Sequence, residues 1–185
     1  MTPWTGPCIA ATALSVAAMH APVHGVIAHS LGATATARAV HEGLAVGALV
    51  FLGAPADLVT HSLVFAETLG LSRRVREQMR QCVEQRVGVP WEAFDVTRLA
   101  PGQVAPLLVV HDRGDAEVPW QHGAAIAAAW PGAKLVTTDG LGHRRILRDP
   151  TVLGAAVSFV ARRSAETSVP TRAVGVRAEP APALA

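Results

Sequence analysis

Ser30, Asp115 and His143 are a serine, a carboxylate and a histidine that occur in this order along the 185-residue chain. A serine hydroxyl is a weak nucleophile until a neighbouring base takes its proton, and a third group must orient that base. These three residue types can divide that work between them. They can do so only if the fold brings the three side chains to one place.

The segment around Ser30 has the layout of a nucleophile elbow, a sharp turn between a strand and a helix. An apolar run at residues 25–28 precedes the serine, and a helical pattern of small residues at 31–42 follows it. Ala28 and Gly32, two positions to either side, are small enough for the strained backbone of such a turn. Alanine stands where this motif usually has glycine, so an ordinary helix N-cap remains the alternative for Ser30.

The apolar runs of the chain predict the elements that must position these residues. Four short, continuous runs indicate buried parallel strands at 25–28, 48–52, 106–111 and 134–138. Helical patterns alternate with them at 8–19, 31–42, 122–129 and 152–163. The alternation predicts an α/β fold, a parallel sheet with flanking helices and right-handed crossovers.

Acidic residues and a histidine follow the last two predicted strands. The segment His111-Asp-Arg-Gly-Asp-Ala-Glu-Val-Pro119 begins where the third strand ends, and Thr138-Asp-Gly-Leu-Gly-His143 follows the fourth. Open parallel sheets build their sites at the carboxyl ends of their strands. These loops are therefore expected to lie beside the turn that carries Ser30.

Together, the segments at 28–32, 111–119 and 140–143 resemble the serine esterase, lipase and peptidase-like branch of the α/β-hydrolase superfamily. The resemblance covers roughly residues 8 to 162. It implies that Ser30 is the nucleophile, His143 the general base, and Asp115, three residues before the Val-Pro pair, the acid. Leu31 would donate one backbone N–H to the oxyanion. The implied activity is hydrolysis of a carboxylic ester or related small acyl substrate, with no cofactor and no metal.

Two other aspartates compete with Asp115 for the role of the acid. Asp112 lies in the same segment, and Asp57 follows the second predicted strand. His143 would be a surface histidine if the resemblance did not hold.

Several residues near the predicted site could have either a structural or a functional role. His29 is expected to pack or to line the site, and His111 and His122 to be structural or solvated. Arg144 and Arg145 could meet an acidic substrate, but pairing with Asp149 or solvent is favoured. The large side chains that could line an acyl pocket, or simply pack, are Trp91 and Trp120.

The connection between the second and third predicted strands is long enough to form a lid. Residues 58–100 carry amphipathic helical patterns, broken at Pro90 and Trp91, and such a long insertion is usually functional. The expected organisation is a hydrolase core at 1–57 and 101–163, a helical cap at 58–100 and a disordered tail at 164–185.

The early position of Ser30 predicts a truncated α/β-hydrolase fold. The family pattern has several strands before the elbow, and an early loop that gives the second oxyanion N–H, whose loss costs about 2.7–4 kcal/mol. Without those strands the first strand becomes an apolar edge, which invites a homodimer through that edge. A shortened gene model or fragment is the preferred explanation. A non-catalytic remnant or interaction module is the alternative function.

Composition excludes several other classes of protein. A net charge of +2 without a basic stripe argues against a nucleic-acid partner. Two cysteines, Cys8 and Cys82, give no disulfide framework or metal spacing and favour a reduced, cytoplasmic protein. The apolar stretch at 8–19 is too short to span a bilayer.

Overall fold

Residues 22–167, together with Met19, are described by the computed structural model, which contains one parallel four-stranded sheet. The strands lie in the order β1-β2-β3-β4, with neighbours in sequence also neighbours in the sheet. Their bounds are β1 Val26–His29, β2 Leu49–Leu52, β3 Leu107–Asp112 and β4 Lys134–Thr138. Every pair is parallel. This confirms the α/β fold with flanking helices.

The helices follow the sequence patterns closely, except at the end of the last one. They are α1 Leu31–His41, α2 Leu58–Thr68, α3 Arg73–Val87, the 3-10 helix Trp91–Phe94, α4 Val96–Leu99, α5 Trp120–Ala129, α6 Gly142–Arg145 and α7 Pro150–Thr167. The last helix runs four residues into the predicted tail, because alanine and glutamate in that stretch favour helix. The rest of the tail and nearly all of the predicted helix at 8–19 lie outside the described residues.

Both faces of the two central strands are buried, each against a different set of helices. Successive strand residues point to opposite faces, so Phe51 and Val109 pack with α1, α4 and α5 while Val50 and Val110 pack with α7. Small residues on α1 include Ala33, which has no exposed surface and lets this helix lie close to the sheet. The continuous apolar runs of the sequence are thus explained by double-sided burial.

The insertion at 58–100 divides into an outer and an inner part. α3 has no buried residue, and one of its contacts with α2 is the hydrogen bond from Arg76 Nε to Ser62 Oγ at 3.1 Å. Val96 and Leu99, by contrast, lie in the main core. A lid role for the outer helices remains a prediction.

Strand β1 forms one edge of the described sheet, as the sequence predicts. Ile27 in this strand is 49% exposed. Pairing of two copies through this edge stays a prediction. None of the helices in the described part of the chain combines the length and apolarity needed to cross a membrane.

Replacing Phe51 by alanine tests the doubly packed core. Phe51 is completely buried and meets Trp130 edge-on, with ring centroids 6.0 Å apart. The cavity left behind should lower the free energy of unfolding by about 3–5 kcal/mol in a urea titration. Val104→Ala is the control, since Val104 is 95% exposed and its change should stay within about 0.5 kcal/mol. Equal effects of the two substitutions would contradict this packing.

Candidate active site

Ser30 occupies the single position between β1 and α1 in a strained backbone conformation. Its φ of 53° and ψ of −130° make it the only non-glycine residue with positive φ among residues 22–167. The Ser30 N–H donates to the Leu52 carbonyl at 3.0 Å, which fixes the turn to the neighbouring strand. Its side chain makes no capping hydrogen bond, so the hydroxyl does not act as an N-cap. Strain of this kind costs on the order of 1–3 kcal/mol and concentrates at functional sites.

Asp115 and His143 are joined by a short, buried hydrogen bond. His143 Nδ1 donates to Asp115 Oδ2 at 2.7 Å. The second carboxylate oxygen, Oδ1, accepts the backbone N–H groups of Glu117 at 2.9 Å and Val118 at 2.8 Å. Both side chains are at least nine-tenths buried. The loops after β3 and β4 therefore bring together the two residues that the sequence predicts as acid and base.

The environment of Asp115 keeps its carboxylate ionised. Burial alone would raise the pKa of this group. The hydrogen bonds that the carboxylate accepts from His143 and from the Val118 N–H outweigh that effect and lower the pKa of Asp115 below its ordinary value. The carboxylate is thus a permanent acceptor for the His143 ring near neutral pH.

The two alternative acids have other partners. Asp112 accepts hydrogen bonds from the Thr138 hydroxyl at 2.8 Å and from the Leu141 N–H at 2.9 Å, and so shapes the loop that leads to His143. Asp57 caps α2 by accepting the Thr60 N–H at 2.6 Å. Of the three candidate aspartates, only Asp115 is hydrogen-bonded to His143.

A cavity of about 690 Å³ opens above the elbow, and Ser30 and His143 both line it. The opposite wall comes from α2, α3 and the 3-10 helix, and its apolar residues are Leu58, Val64, Phe65, Leu69, Met79, Val83 and Trp91. No hydrogen bond joins the Ser30 hydroxyl to the His143 ring within residues 22–167. Nucleophile–base hydrogen bonds are often long before a substrate binds.

The sequence from residue 68 to residue 167, more than half of the chain, matches the family of TAP-like proteins. The chain belongs to the TAP-like family of α/β-hydrolases. A search of curated protein sequences gave no match.

Several solved structures share the fold of this chain at low sequence identity. A proline iminopeptidase from Mycobacterium smegmatis has a TM-score of 0.62 at 14% identity, over 86% of this chain and 72% of that one. A bromoperoxidase from Bacillus anthracis has a TM-score of 0.60 at 16% identity, and the match covers 88% of this chain and 77% of the bromoperoxidase. An esterase from Rhodococcus sp. ECU1013 has a TM-score of 0.60 at 16% identity, and the match covers 83% of this chain and 71% of the esterase. These likenesses support the fold.

Two further histidines of this α/β-hydrolase contact the acid or the base. His29 Nε2 donates to the His143 carbonyl at 3.0 Å, and the two rings lie 4.5 Å apart, so His29 packs at the site as predicted. His111 is fully buried at the end of β3, 3.6 Å from Asp115. His122 is structural, since its Nδ1 accepts the Ala56 N–H at 3.1 Å.

The arginines next to His143 do not pair with Asp149. Arg144 Nε donates to Glu117 Oε1 at 2.9 Å, and Arg145 donates to the Leu141 carbonyl at 3.1 Å. Asp149 instead accepts backbone N–H groups at the start of α7. Of the two expected partners, Asp149 or solvent, Asp149 is wrong, because the loop after β3 brings Glu117 within reach of Arg144, whereas both arginine side chains are exposed to solvent.

The two tryptophans have different roles. Trp91 lines the cavity and is almost fully buried. Trp120 lies away from the cavity and donates its indole N–H to Thr137 Oγ1 at 3.0 Å. Trp91 Nε1 and His61 Nδ1 are buried polar atoms of the cavity residues without a hydrogen-bond partner in the described part of the chain.

Residues 22–167 contain no group of three or more His, Cys, Asp or Glu side chains that could hold a metal ion. Ser30 and His143 bring a hydroxyl and an imidazole to the cavity lining, and the buried Asp115 carboxylate is hydrogen-bonded to that imidazole. They are suited to proton transfer and nucleophilic attack.

Gly53 is a site residue that sequence reasoning missed. It follows β2 with a φ of 54°, and an added Cβ would lie 3.1 Å from His143 Nδ1 and 3.3 Å from Asp115 Oδ2. The structure shows the importance of Gly53 through its close contact with residues far away in sequence. In the sequence, the one available signal was a glycine directly after a predicted strand.

Gly53→Ala should disturb the Asp115–His143 hydrogen bond. The left-handed backbone costs a non-glycine residue about 1–2 kcal/mol, and the new methyl group also presses on the His143 ring. Urea unfolding should show lower stability, and the NMR resonance of the His143 Nδ1 proton should shift.

Gly88→Ala is the matched control for this substitution. Gly88 has a φ of 81° with nothing within 4 Å of an added Cβ. This variant should lose similar stability and keep the His143 resonance in place. An unchanged resonance in Gly53→Ala would contradict the close contact.

Four histidines that lose solvent contact on folding predict that the stability of the chain falls in mild acid. Burial is the main cause that lowers the pKa of four rings below the ordinary 6.5: His29, His61, His111 and His122. These histidines bind protons more readily in the unfolded chain than in the folded one. Their contribution to the free energy of unfolding is therefore complete above pH 6.5 and decreases as the pH drops below that value.

Urea titrations between pH 8 and pH 5 measure this effect. His122→Gln should reduce the slope of stability against pH, whereas the exposed His41→Gln should leave it as in the wild type. Stability that is constant or rising from pH 7 to pH 5 would disprove the neutral, buried state of these rings.

Proposed function

We propose that the chain is a serine hydrolase that cleaves a carboxylic ester or a related acyl bond. Ser30 is the nucleophile, His143 the general base and Asp115 the residue that orients the imidazole. The observation that carries the proposal is the strained Ser30 at a cavity shared with His143, whose Nδ1 donates to the buried Asp115 at 2.7 Å.

The Asp115–His143 hydrogen bond supports a specific tautomer of the base. An ionised carboxylate only accepts, so the His143 proton lies on Nδ1 and Nε2 keeps its lone pair. In the proposed reaction Nε2 takes the Ser30 proton as Oγ attacks the acyl carbon. The same proton then goes to the leaving group as its bond to the acyl carbon breaks. A water molecule, activated in the same way, releases the acid from Ser30.

The Leu31 backbone N–H is the proposed donor to the oxyanion. Leu31 is the first residue of α1, and the first amides of a helix have no acceptor within it. The positive end of the helix dipole points the same way. A donor at this place stabilises negative charge on the oxygen of a carbonyl attacked by Ser30.

The composition of the cavity wall supports an uncharged substrate with an apolar group. Among the residues that line it, the carboxylate and the guanidinium belong to Glu117 and Arg144, and these pair with each other at 2.9 Å. The wall formed by α2 and α3 is mainly apolar. An unpaired charge on the substrate would lose its hydration there without gaining a partner. The solved structures that share this fold include an esterase and a proline iminopeptidase, and ester and peptide bonds are both acyl bonds.

Kinetics of single variants on neutral and carboxylate-bearing nitrophenyl esters test the proposal. Ser30→Ala should lower kcat by up to about 10⁶-fold and Asp115→Asn by about 10⁴-fold, as in other triads. The exposed Ser158→Ala and the capping Asp57→Asn are matched controls and should stay close to wild type. Neutral esters with apolar acyl groups should give the higher kcat/KM.

Equal rates for Ser30→Ala and the folded wild-type protein would overturn the proposal. If both bind an apolar ester without turnover, the chain is instead a binding module on a hydrolase fold.

A further inference from the structure

His111 is a second histidine close to the proposed acid, Asp115. It has no exposed surface, and its Nε2 donates to the Val118 carbonyl at 2.8 Å. The same nitrogen is 3.6 Å from Asp115 Oδ2, the oxygen that accepts from His143. Asp115 Oδ2 therefore lies near two imidazole N–H groups, that of His143 at hydrogen-bond distance and that of His111 farther away.

The hydrogen bonds of His111 fix its tautomer. A carbonyl oxygen only accepts, so the ring proton is on Nε2 and Nδ1 is a bare acceptor. No described residue donates to Nδ1. A Cβ added at Gly123 would lie 2.4 Å from this atom, so the backbone of α5 packs directly against the ring.

His111 closes a ring of contacts around the turn at 115–118. Asp115 Oδ1 accepts the Val118 N–H at 2.8 Å, while the Val118 carbonyl accepts from His111 at 2.8 Å. Val118 is thus held from both sides of its backbone. The position of the turn determines where Oδ2 points.

We propose that His111 is a positioning residue that holds the 115–118 turn so that Asp115 Oδ2 points at His143. Its Nε2–H also lies near the carboxylate as a neutral dipole, without a charge that would compete with His143. The effect on turnover rests on the proposed function, whereas the effect on the hydrogen bond does not.

A space-filling role is the alternative for His111. An apolar residue would fill that role better, since the histidine leaves a buried nitrogen unpaired. Burying a nitrogen without a hydrogen-bond partner lowers stability. What the histidine provides in return is the N–H donor to the Val118 carbonyl. Space filling predicts that variants lose stability only.

Three variants of the full chain separate the two roles. His111→Phe removes the N–H that donates to the Val118 carbonyl, whereas His111→Gln keeps a side-chain N–H donor at this position. His122→Gln removes another buried histidine that contacts neither Asp115 nor His143 through a hydrogen bond. The readouts are the NMR shift of the His143 Nδ1 proton and the pH profile of kcat/KM on a neutral ester.

His111→Phe should shift the His143 resonance and lower kcat by up to about 100-fold with KM nearly unchanged, because the acid is misplaced. It should also displace the acidic limb of the pH profile. His111→Gln should recover most of both signals, and His122→Gln should change neither. An unchanged resonance in folded His111→Phe would overturn the proposal.

Gly123→Ala keeps the test decisive if His111→Phe does not fold. The added methyl group displaces the His111 ring without changing its chemistry, so the resonance should move in the same direction. An unmoved resonance would count against His111. A wild-type protein without esterase turnover would refute the proposed function, while the NMR measurement would still decide the role of His111.

Discussion

The 2.7 Å hydrogen bond between His143 Nδ1 and Asp115 Oδ2 is the contact on which the rest of the site depends. It joins the loops that follow β3 and β4, two parallel strands that are neighbours in the sheet. Asp112 strengthens the same connection by accepting hydrogen bonds from the second loop. Gly53 leaves the space that the two side chains occupy. Without this arrangement the acid and the base would lie on separate, independently mobile loops.

The strained turn at Ser30 is held by the well-packed part of the sheet. Its N–H is bonded to Leu52 in the neighbouring strand, and the helix that follows is anchored by completely buried alanines such as Ala33 and Ala37. The core therefore offsets the cost of the unusual backbone conformation. Part of the opposite wall of the cavity comes from α3, which has no buried residue. Rigid support below and a loosely attached wall above are consistent with a site that must admit a substrate.

Local sequence signals predicted the sheet and the elbow, because they depend on neighbouring residues. The continuous apolar run of β3 follows from burial on both faces, and Ser30 was marked by small residues at fixed offsets. Asp115 was distinguished from Asp112 by its distance to the Val-Pro pair, a feature of the resemblance rather than of the residues themselves. The structure adds the hydrogen bond that joins Asp115 to His143.

Contacts between distant segments could not be predicted in this way. Glu117 and Arg144 are 27 positions apart and meet only because two loops converge. The close approach of Gly53 to His143, 90 positions away, likewise depends on segments that meet only in the folded chain. The continuation of α7 to Thr167 was missed because the alanine and proline content of the tail outweighed the helix-forming residues at its start.

Peptide mass spectrometry of the folded protein after reaction with a fluorophosphonate tests the central claim most directly. The reagent forms a stable phosphonyl ester only with a serine that a neighbouring base activates. The account predicts one adduct on Ser30, with labelling strongly slowed in Asp115→Asn. Folded wild-type protein without an adduct, or with its adduct on another residue, would contradict it.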